Sequence, residues 1–251
     1  MKYARLCLIP AMIFTVPTLA FSQEILIPRW QPHNFSFQSQ TQYDNPFLVN
    51  FSATVTRPDG KEFTAYGFYN GGGTWIIRLA PDMEGKWSLR THSKDAALAG
   101  KTLSFICIKN QNPNIHGGLR VDPRHRGYFI FEDGTRYFLM GYECDWLWAL
   151  DMNNPVLSKL NTFLDKLAAF KFNHIILNAY AHDTNWRKGK TGDDDFGPPP
   201  MYAWQGSNEK PDHSRFNLDY WQHYDRVKQA KRVYIPKDGH SKRDTLSRAK
   251  L

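Results

Sequence analysis

Cysteine is scarce in this sequence. Only three of the 251 residues are Cys, and Cys7 lies within an N-terminal leader. The other two, Cys107 and Cys144, fall in different predicted domains. This placement argues against a disulfide-rich scaffold and favours two buried thiols.

The central part of the chain lacks net charge. The formal charge of the whole sequence is +8, but residues 1–23 contribute +2 and residues 228–251 contribute +6. Residues 24–227 are therefore neutral. They show no basic stripe of the kind that nucleic-acid-binding proteins use, so we expect no nucleic-acid partner.

Long apolar runs are missing after the leader. Two basic residues precede an apolar stretch at 6–19, which is short of the roughly 18–20 residues of a membrane span. Thr18-Leu19-Ala20 fits a signal-peptidase site, although a cut after Gln23 also fits. We interpret residues 1–23 as a signal peptide, with a membrane anchor as the alternative. We expect export to the periplasm or the extracellular space and no membrane partner after cleavage.

Residues 24–112 have the pattern of an all-β domain. Apolar residues occupy the odd positions of 47–55, which is the period of a strand with one buried face. Pro58-Asp59-Gly60 predicts a turn. Further strands are predicted at 61–69, 74–79, 86–91 and 101–109. Short strands joined by regular turns predict an immunoglobulin-like β-sandwich.

The pattern changes to α/β over residues 113–232. A predicted hairpin at 128–140 leads into the stretch GYECDWLWAL, and Asn154-Pro155 then starts a predicted helix. The later predicted elements are a strand at 172–180 buried on both faces, a loop at 182–215 and a helix at 218–231. This order predicts the first two βα units of a TIM-type (β/α)8 barrel, following the sandwich in a multidomain chain.

A third barrel strand does not follow in the sequence. Val233-Tyr234-Ile235 is too short and is stopped by Pro236, and the polar, basic remainder has the composition of a disordered segment. A complete barrel takes about 250 residues. We therefore expect an incomplete, C-terminally truncated barrel over 113–232 and a disordered basic tail over 233–251. A frameshift is one candidate origin of that tail.

Three motifs carry a resemblance to a known family. Residues 66–72, 75–81 and 84–87 resemble the pattern "GF-y-x-G … W-x-v-R-f-x-P … G-x-W" of the N-terminal sandwich of bacterial glycoside hydrolases. Residues 137–148 and 170–175 are similar to the first βα units of the apiosidase-like barrel that follows this sandwich. The resemblance covers residues 24–232 and implies an exported enzyme of plant-polysaccharide breakdown.

The resemblance implies that the catalytic carboxylates lie on later barrel strands, so no catalytic residue is expected in this chain. Glu143 and Asp145 follow the first barrel strand and are expected to contact sugar hydroxyls. Two alternatives are that they hold a loop in place or that they are themselves the catalytic pair. Cys144 as a nucleophile would need His174 or His182 as its base, and a buried thiol is the alternative.

Aromatic and polar side chains are expected beside these carboxylates. Trp146 and Trp186 offer flat faces for sugar rings, with burial in the core as an equal alternative. The remaining predicted substrate-binding residues are Asn178, Tyr180, His182 and Asp183. Asp193-Asp194-Asp195 lacks the spacing of an EF-hand loop, so we expect no metal and no cofactor.

Three functional hypotheses follow from the sequence. The favoured one is a fragment of a secreted glycoside hydrolase that acts on plant-type polysaccharide and is inactive alone. The second is a non-catalytic carbohydrate-binding module in which the sandwich acts by itself. The third is a complete small enzyme that uses Glu143 and Asp145. In each case the expected partner is a polysaccharide or an oligosaccharide.

Overall fold

The structure is a computed structural model that describes residues 24–180 and 199–233. The predicted signal peptide at 1–23 and the predicted tail from residue 234 lie outside the described residues. The strands are β1 (Ile25–Pro28), β2 (His33–Gln38), β3 (Phe51–Thr56), β4 (Glu62–Tyr69), β5 (Thr74–Leu79), β6 (Gly85–Ser93), β7 (Thr102–Ile108), β8 (Leu119–Val121), β9 (Phe129–Phe131), β10 (Arg136–Tyr137), β11 (Gly141–Glu143), β12 (His174–Ile176), β13 (Trp204–Gly206) and β14 (Pro211–Phe216). The helices are α1 (Ser158–Ala169) and α2 (Leu218–Val233).

The first seven strands form one hydrogen-bonded sheet in the order β1-β7-β6-β3-β4-β5-β2. Strand β4 pairs with β3 through residues 62–66 and with β5 through residues 67–69. Side chains from both parts of the sheet meet in a single core. The sheet therefore folds over along β4 into a sandwich-like arrangement. Strands β5 and β2 form one layer, which covers β1, β7, β6 and β3.

Gly67 lies where β4 changes partners. A Cβ atom at this position would overlap the Phe51 ring and lie 2.8 Å from Ile77 Cδ1. Glycine therefore permits the close approach of β4 to the core at the fold of the sheet. The largest core side chains around it are aromatic, including Trp75, Trp87 and Phe105.

Most predicted sandwich strands coincide with observed ones, and β5 does so at both ends. The strand predicted at 47–55 begins only at Phe51. Residues Pro46–Leu48 form a 3-10 turn instead, because Asn45 caps it by accepting a hydrogen bond from Phe47 N at 3.1 Å. A local side-chain cap thus overrides the alternating pattern at the start of the strand.

A small antiparallel sheet, in the order β10-β9-β8, follows the sandwich. The hairpin predicted at 128–140 is present as β9 and β10, although β10 ends at Tyr137. The sequence does not predict β8, since three residues are too few to display a strand period.

The next elements form a parallel β-α-β unit. Strand β11 pairs in parallel with β12, with Gly141 opposite His174 and Glu143 opposite Ile176. Helix α1 connects the two strands, as parallel pairing requires a crossover. Leu160 and Leu164 of α1 share a core with Val227 of α2. The two helices therefore pack against each other beside the strand pair.

The strand predicted at 172–180 is shorter and more exposed than expected. Only His174–Ile176 is strand, and the Ile176 side chain is 52% exposed. The prediction of burial on both faces is therefore wrong for the described structure. The side chain is exposed because β12 pairs with a single strand, β11, within residues 24–180 and 199–233.

The loop predicted over 182–215 is wrong in its last part, where β13 and β14 form an antiparallel hairpin. Residues 181–198 lie outside the described residues, and so does Asp193-Asp194-Asp195. Strand β14 is largely polar and lacks apolar alternation, so its sequence gives no strand signal. Contacts with the sandwich hold it instead. Asn45 Nδ2 donates to the Ser214 carbonyl at 2.9 Å, and Arg215 Nη1 donates to the Asp44 carbonyl at 2.7 Å.

Helix α2 begins where the sequence predicts it, at Leu218, and continues to Val233. It therefore ends one residue inside the tail predicted over 233–251. Neither α1 nor α2, the two helices of the described part of the chain, has the length and apolar character that a membrane crossing needs.

Candidate functional site

The carboxyl edge of the β11–β12 pair brings several predicted site residues together. Because the two strands are parallel, their carboxyl ends lie at the same edge. Glu143 ends β11 opposite Ile176, the last residue of β12. Two residues further along each segment, Asn178 N donates to the Asp145 carbonyl at 3.1 Å. We call this region, comprising Glu143, Asp145 and Asn178, the carboxyl edge.

The polar side chains of the carboxyl edge are accessible. Glu143 and Asn178 are exposed, and Asp145 is half-buried. Neither side-chain carboxylate has a hydrogen-bond or ion-pair partner within residues 24–180 and 199–233. Ionised carboxylates accept hydrogen bonds, and the Asn178 amide both donates and accepts them. The edge therefore offers the groups that a ligand rich in hydroxyls would use.

An aromatic cluster lies beside this edge. The Tyr180 ring meets the Trp204 ring edge-on at 4.5 Å between centroids, and Trp204 meets His213 at 4.9 Å. Tyr180 is 43% exposed. The hairpin β13–β14 supplies Trp204 and His213, which no sequence pattern indicates as site residues. A single tryptophan in a stretch predicted to be a loop carries no periodic signal, and only the contact with Tyr180 identifies it.

Trp146 is half-buried at the start of the 3-10 turn Leu147–Ala149. It packs against a core of four buried residues: Trp148, Met152, Ala203 and Tyr220. Part of its ring therefore belongs to the core and part remains accessible. The other predicted contact residues, His182, Asp183 and Trp186, lie outside the described residues.

Helix α2 holds the chain segments that follow both parallel strands. Tyr220 Oη donates to the Ala179 carbonyl at 2.7 Å, after β12. His223 Nε2 donates to the Trp148 carbonyl at 2.8 Å, after β11. The Trp148 and Tyr220 rings also meet at 5.1 Å. Two residues of one helix thus fix both sides of the carboxyl edge.

His223 is a buried titratable group that contacts this arrangement, with 1% of its surface exposed. Burial lowers the pKa of His223, and the Trp148 carbonyl only partly offsets this effect. Because a carbonyl can only accept, the proton resides on Nε2. Nδ1 has no hydrogen-bond partner among the described residues. The ring is therefore neutral at neutral pH and acts as a donor to the backbone.

Both described cysteines are buried. Burial raises the pKa of the Cys107 thiol to about 11, which keeps it protonated. His174 pairs with Gly141, at the amino end of β11, and Cys144 comes three residues later. Three residues of strand span about 10 Å. His174 and Cys144 are therefore too far apart along the β11–β12 strand pair for His174 to act as the base of Cys144.

No group of three or more His, Cys, Asp or Glu side chains suited to a metal ion occurs within residues 24–180 and 199–233.

Residues 26–94 match a family model described as "Domain of unknown function (DUF5060)". The match extends from β1 to the end of β6, so it covers most of the sandwich. No curated protein matches the chain.

A crystal structure from Bacteroides vulgatus ATCC 8482, named as "a putative glycoside hydrolase", has a similar fold with a TM-score of 0.63. Its sequence is 24% identical, and the match covers 82% of this chain and 40% of that one. The Lin-41 filamin domain matches 36% of this chain and 90% of its own, at 15% identity and a TM-score of 0.29, too low to support an argument. The chain thus spans 40% of the length of a protein named as a glycoside hydrolase and shares its fold over that part.

Proposed function

We propose that this chain is part of an exported glycoside hydrolase and that the carboxyl edge binds a sugar of a plant-type polysaccharide. The observation that carries the proposal is the meeting of Glu143, Asp145 and Asn178 at one accessible edge beside aromatic rings. Carboxylates and amides bind sugar hydroxyls, and aromatic rings pack against sugar faces. The fold similarity to a structure named as a glycoside hydrolase supports the same ligand class.

In this proposal β11, α1, β12 and α2 are the first two βα units of an apiosidase-like barrel. The parallel register of β11 and β12 and the packing of α1 on α2 support this assignment. Barrel enzymes bind substrates at the carboxyl ends of their strands, which is the edge where Glu143 and Asn178 lie. Additional strands would pair with the outer edges of β11 and β12.

Glu143 and Asp145 bind the sugar in this proposal and do not cleave it. Glycosidases place two carboxylates on either side of the scissile bond, about 5–5.5 Å apart for retention and about 6.5–9.5 Å apart for inversion. Glu143 and Asp145 are two residues apart in one segment, so they reach a ligand from the same side. The catalytic pair therefore comes from other barrel strands, and the isolated chain binds without hydrolysis.

Calorimetric titration of pectic side-chain oligosaccharides into the purified chain tests the proposed site. Glu143→Gln removes the carboxylate charge and Asn178→Ala removes the amide, and each variant is expected to weaken binding about five- to tenfold. Glu24→Gln, which changes an exposed carboxylate before β1, is the control and keeps the wild-type affinity. Equal affinity in all four proteins would contradict the site. Hydrolysis that disappears in Glu143→Gln would contradict the binding role.

A second candidate is a sandwich that binds carbohydrate by itself, and Tyr66 is the observation that favours it. Its side chain is 80% exposed on β4. Tyr66 lies opposite Ser52, which in turn lies opposite His92, so the three share one outer face. An exposed ring beside short polar side chains suits stacking on a sugar. Loss of polysaccharide binding in Tyr66→Ala but not in Glu143→Gln would favour this candidate.

A further inference from the structure

Helix α2 contacts the sandwich with one face and the carboxyl edge with another. We infer that the sandwich positions the sugar site through α2, and that Arg78 and Asp225 are the positioning residues of this link. The inference rests on the proposed function for the identity of the ligand. The mechanical link itself rests on contacts that do not depend on it.

The sandwich end of the link is a bidentate ion pair. Arg78, on β5, donates from Nη1 to Asp225 Oδ1 at 3.0 Å and from Nη2 to Asp225 Oδ2 at 2.6 Å. Arg78 Nε also donates to Asn34 Oδ1 at 2.7 Å, which fixes the guanidinium from β2. One helical turn before Asp225, Gln222 Nε2 donates to the Asn70 carbonyl at 3.0 Å. These bonds define both the position and the rotation of α2.

The site end of the link is the buried face of α2. Tyr220, His223 and Val227 recur at three- and four-residue spacing, so they share a face distinct from that of Gln222 and Asp225. As described above, Tyr220 and His223 hold the carbonyls of Ala179 and Trp148. A shift or rotation of α2 would therefore move the segments that follow β12 and β11 together.

Loss of the Arg78–Asp225 pair would not separate the sandwich from the rest of the chain. The β13–β14 hairpin has its own bonds to the sandwich, and Phe216 packs edge-on against Phe47 at 5.4 Å. Both members of the ion pair are about one-third exposed. We therefore expect an Arg78→Ala variant to fold and to change mainly how α2 is seated.

Hydrogen–deuterium exchange tests the link without a ligand. In Arg78→Ala, the amides of residues 144–150 and 177–180 are expected to exchange about five-fold faster than in the wild type, which is the scale of one lost, partly exposed ion pair. Arg57→Ala is the matched control. Arg57 Nη1 donates to both carboxylate oxygens of Asp82, at 2.7 and 2.9 Å, within the sandwich and away from α2. This control is expected to leave both segments unchanged.

Charge reversal separates positioning from a general loss of stability. Combining Arg78→Asp with Asp225→Arg restores opposite charges at the two positions and is expected to recover most of the protection. Each substitution alone places like charges together and is expected to accelerate exchange more than Arg78→Ala does. If Arg57→Ala accelerates exchange at residues 144–150 as much as Arg78→Ala does, or if the reversed pair recovers nothing, the inference is overturned.

Titration with pectic side-chain oligosaccharides distinguishes this inference from the proposed function. Arg78→Ala is expected to weaken binding about five-fold, whereas Arg57→Ala retains the wild-type affinity. Faster exchange in Arg78→Ala without oligosaccharide binding to any variant would support the link and contradict the proposed ligand. Unchanged exchange together with unchanged affinity in Arg78→Ala would contradict the link and leave the proposed function standing.

Discussion

The replacement His223→Gln tests how α2 holds the segment after β11. Gln can still donate a hydrogen bond toward the Trp148 carbonyl, but it cannot be protonated. In the wild type, burial lowers the pKa of His223 below its ordinary value of 6.5. Below about pH 6.5 the unfolded chain therefore binds a proton that the folded chain does not.

The sign of the pH dependence follows from this difference in bound protons. As the pH falls from 6.5 toward the lowered folded-state pKa of His223, the free energy of unfolding decreases by up to about 1.4 kcal/mol per pH unit. Above pH 6.5 this contribution vanishes, because the ring is neutral in both states. Arg226 opposes protonation of the ring and Asp151 favours it, but neither outweighs burial.

Urea unfolding of both proteins at pH 7.5, 6.5 and 5.5 measures the effect. We expect the two stabilities to be within about 1 kcal/mol at pH 7.5 and the wild type to lose more stability than His223→Gln on acidification. Burial also lowers the pKa of His33, but that contribution is common to both proteins. Equal pH slopes, or a His223 pKa at or above 6.5 by NMR titration, would refute the reasoning.

Three further predictions concern the sandwich and the leader. Gly67→Ala places a methyl group against Phe51 and is expected to cost about 1–3 kcal/mol in thermal or urea unfolding, whereas Gly127→Ala, with open space around its Cβ, is expected to cost little. Hydrogen bonds from Ser39 and Tyr43 lower the pKa of Asp95 to about 2, so its stabilising effect is lost as the pH falls from about 4 toward 2. Asp95→Asn is expected to make the free energy of unfolding less dependent on pH in that range. An unchanged pH midpoint of acid unfolding would contradict this expectation. Mass spectrometry of the protein recovered from cells that express the full sequence should show cleavage after Ala20 or Gln23, and an intact Met1 would contradict the signal-peptide prediction.

Local sequence patterns predict the sandwich well because its strands display their period. The apolar alternation over 47–55 and the turn at Pro58-Asp59-Gly60 locate β3 and β4, and residues 74–79 match β5 at both ends. The pattern fails where a single side chain decides the structure. Asn45 turns the start of one predicted strand into a 3-10 turn, and no periodicity records that cap.

The parallel strands and both helices are also predictable, but their surroundings are not. Helical spacing locates α1 and α2, and the two strand signals lead to β11 and β12. Strand β14 is held by bonds to Asp44 and Asn45, about 170 residues earlier in the chain. Contacts at that separation leave no trace in the local sequence, so the hairpin is visible only in three dimensions.

The same distinction applies to the candidate site. Glu143, Asp145 and Asn178 are predictable because each lies at or just after the carboxyl end of a strand, and parallel strands bring such residues to one edge. Trp204 and the links through Arg78 depend on elements that meet only after folding. The supporting contacts of the candidate site are therefore less predictable than the residues proposed to face the ligand.

The most direct test of the sugar site is an NMR titration of the 15N-labelled chain with pectic side-chain oligosaccharides. We predict that amide shifts concentrate at residues 143–146 and 178–180 and at the indole of Trp204, with saturation at one common affinity. Shifts confined to the outer face of the sandwich around Tyr66, or no saturable shift at the carboxyl edge, would contradict this account.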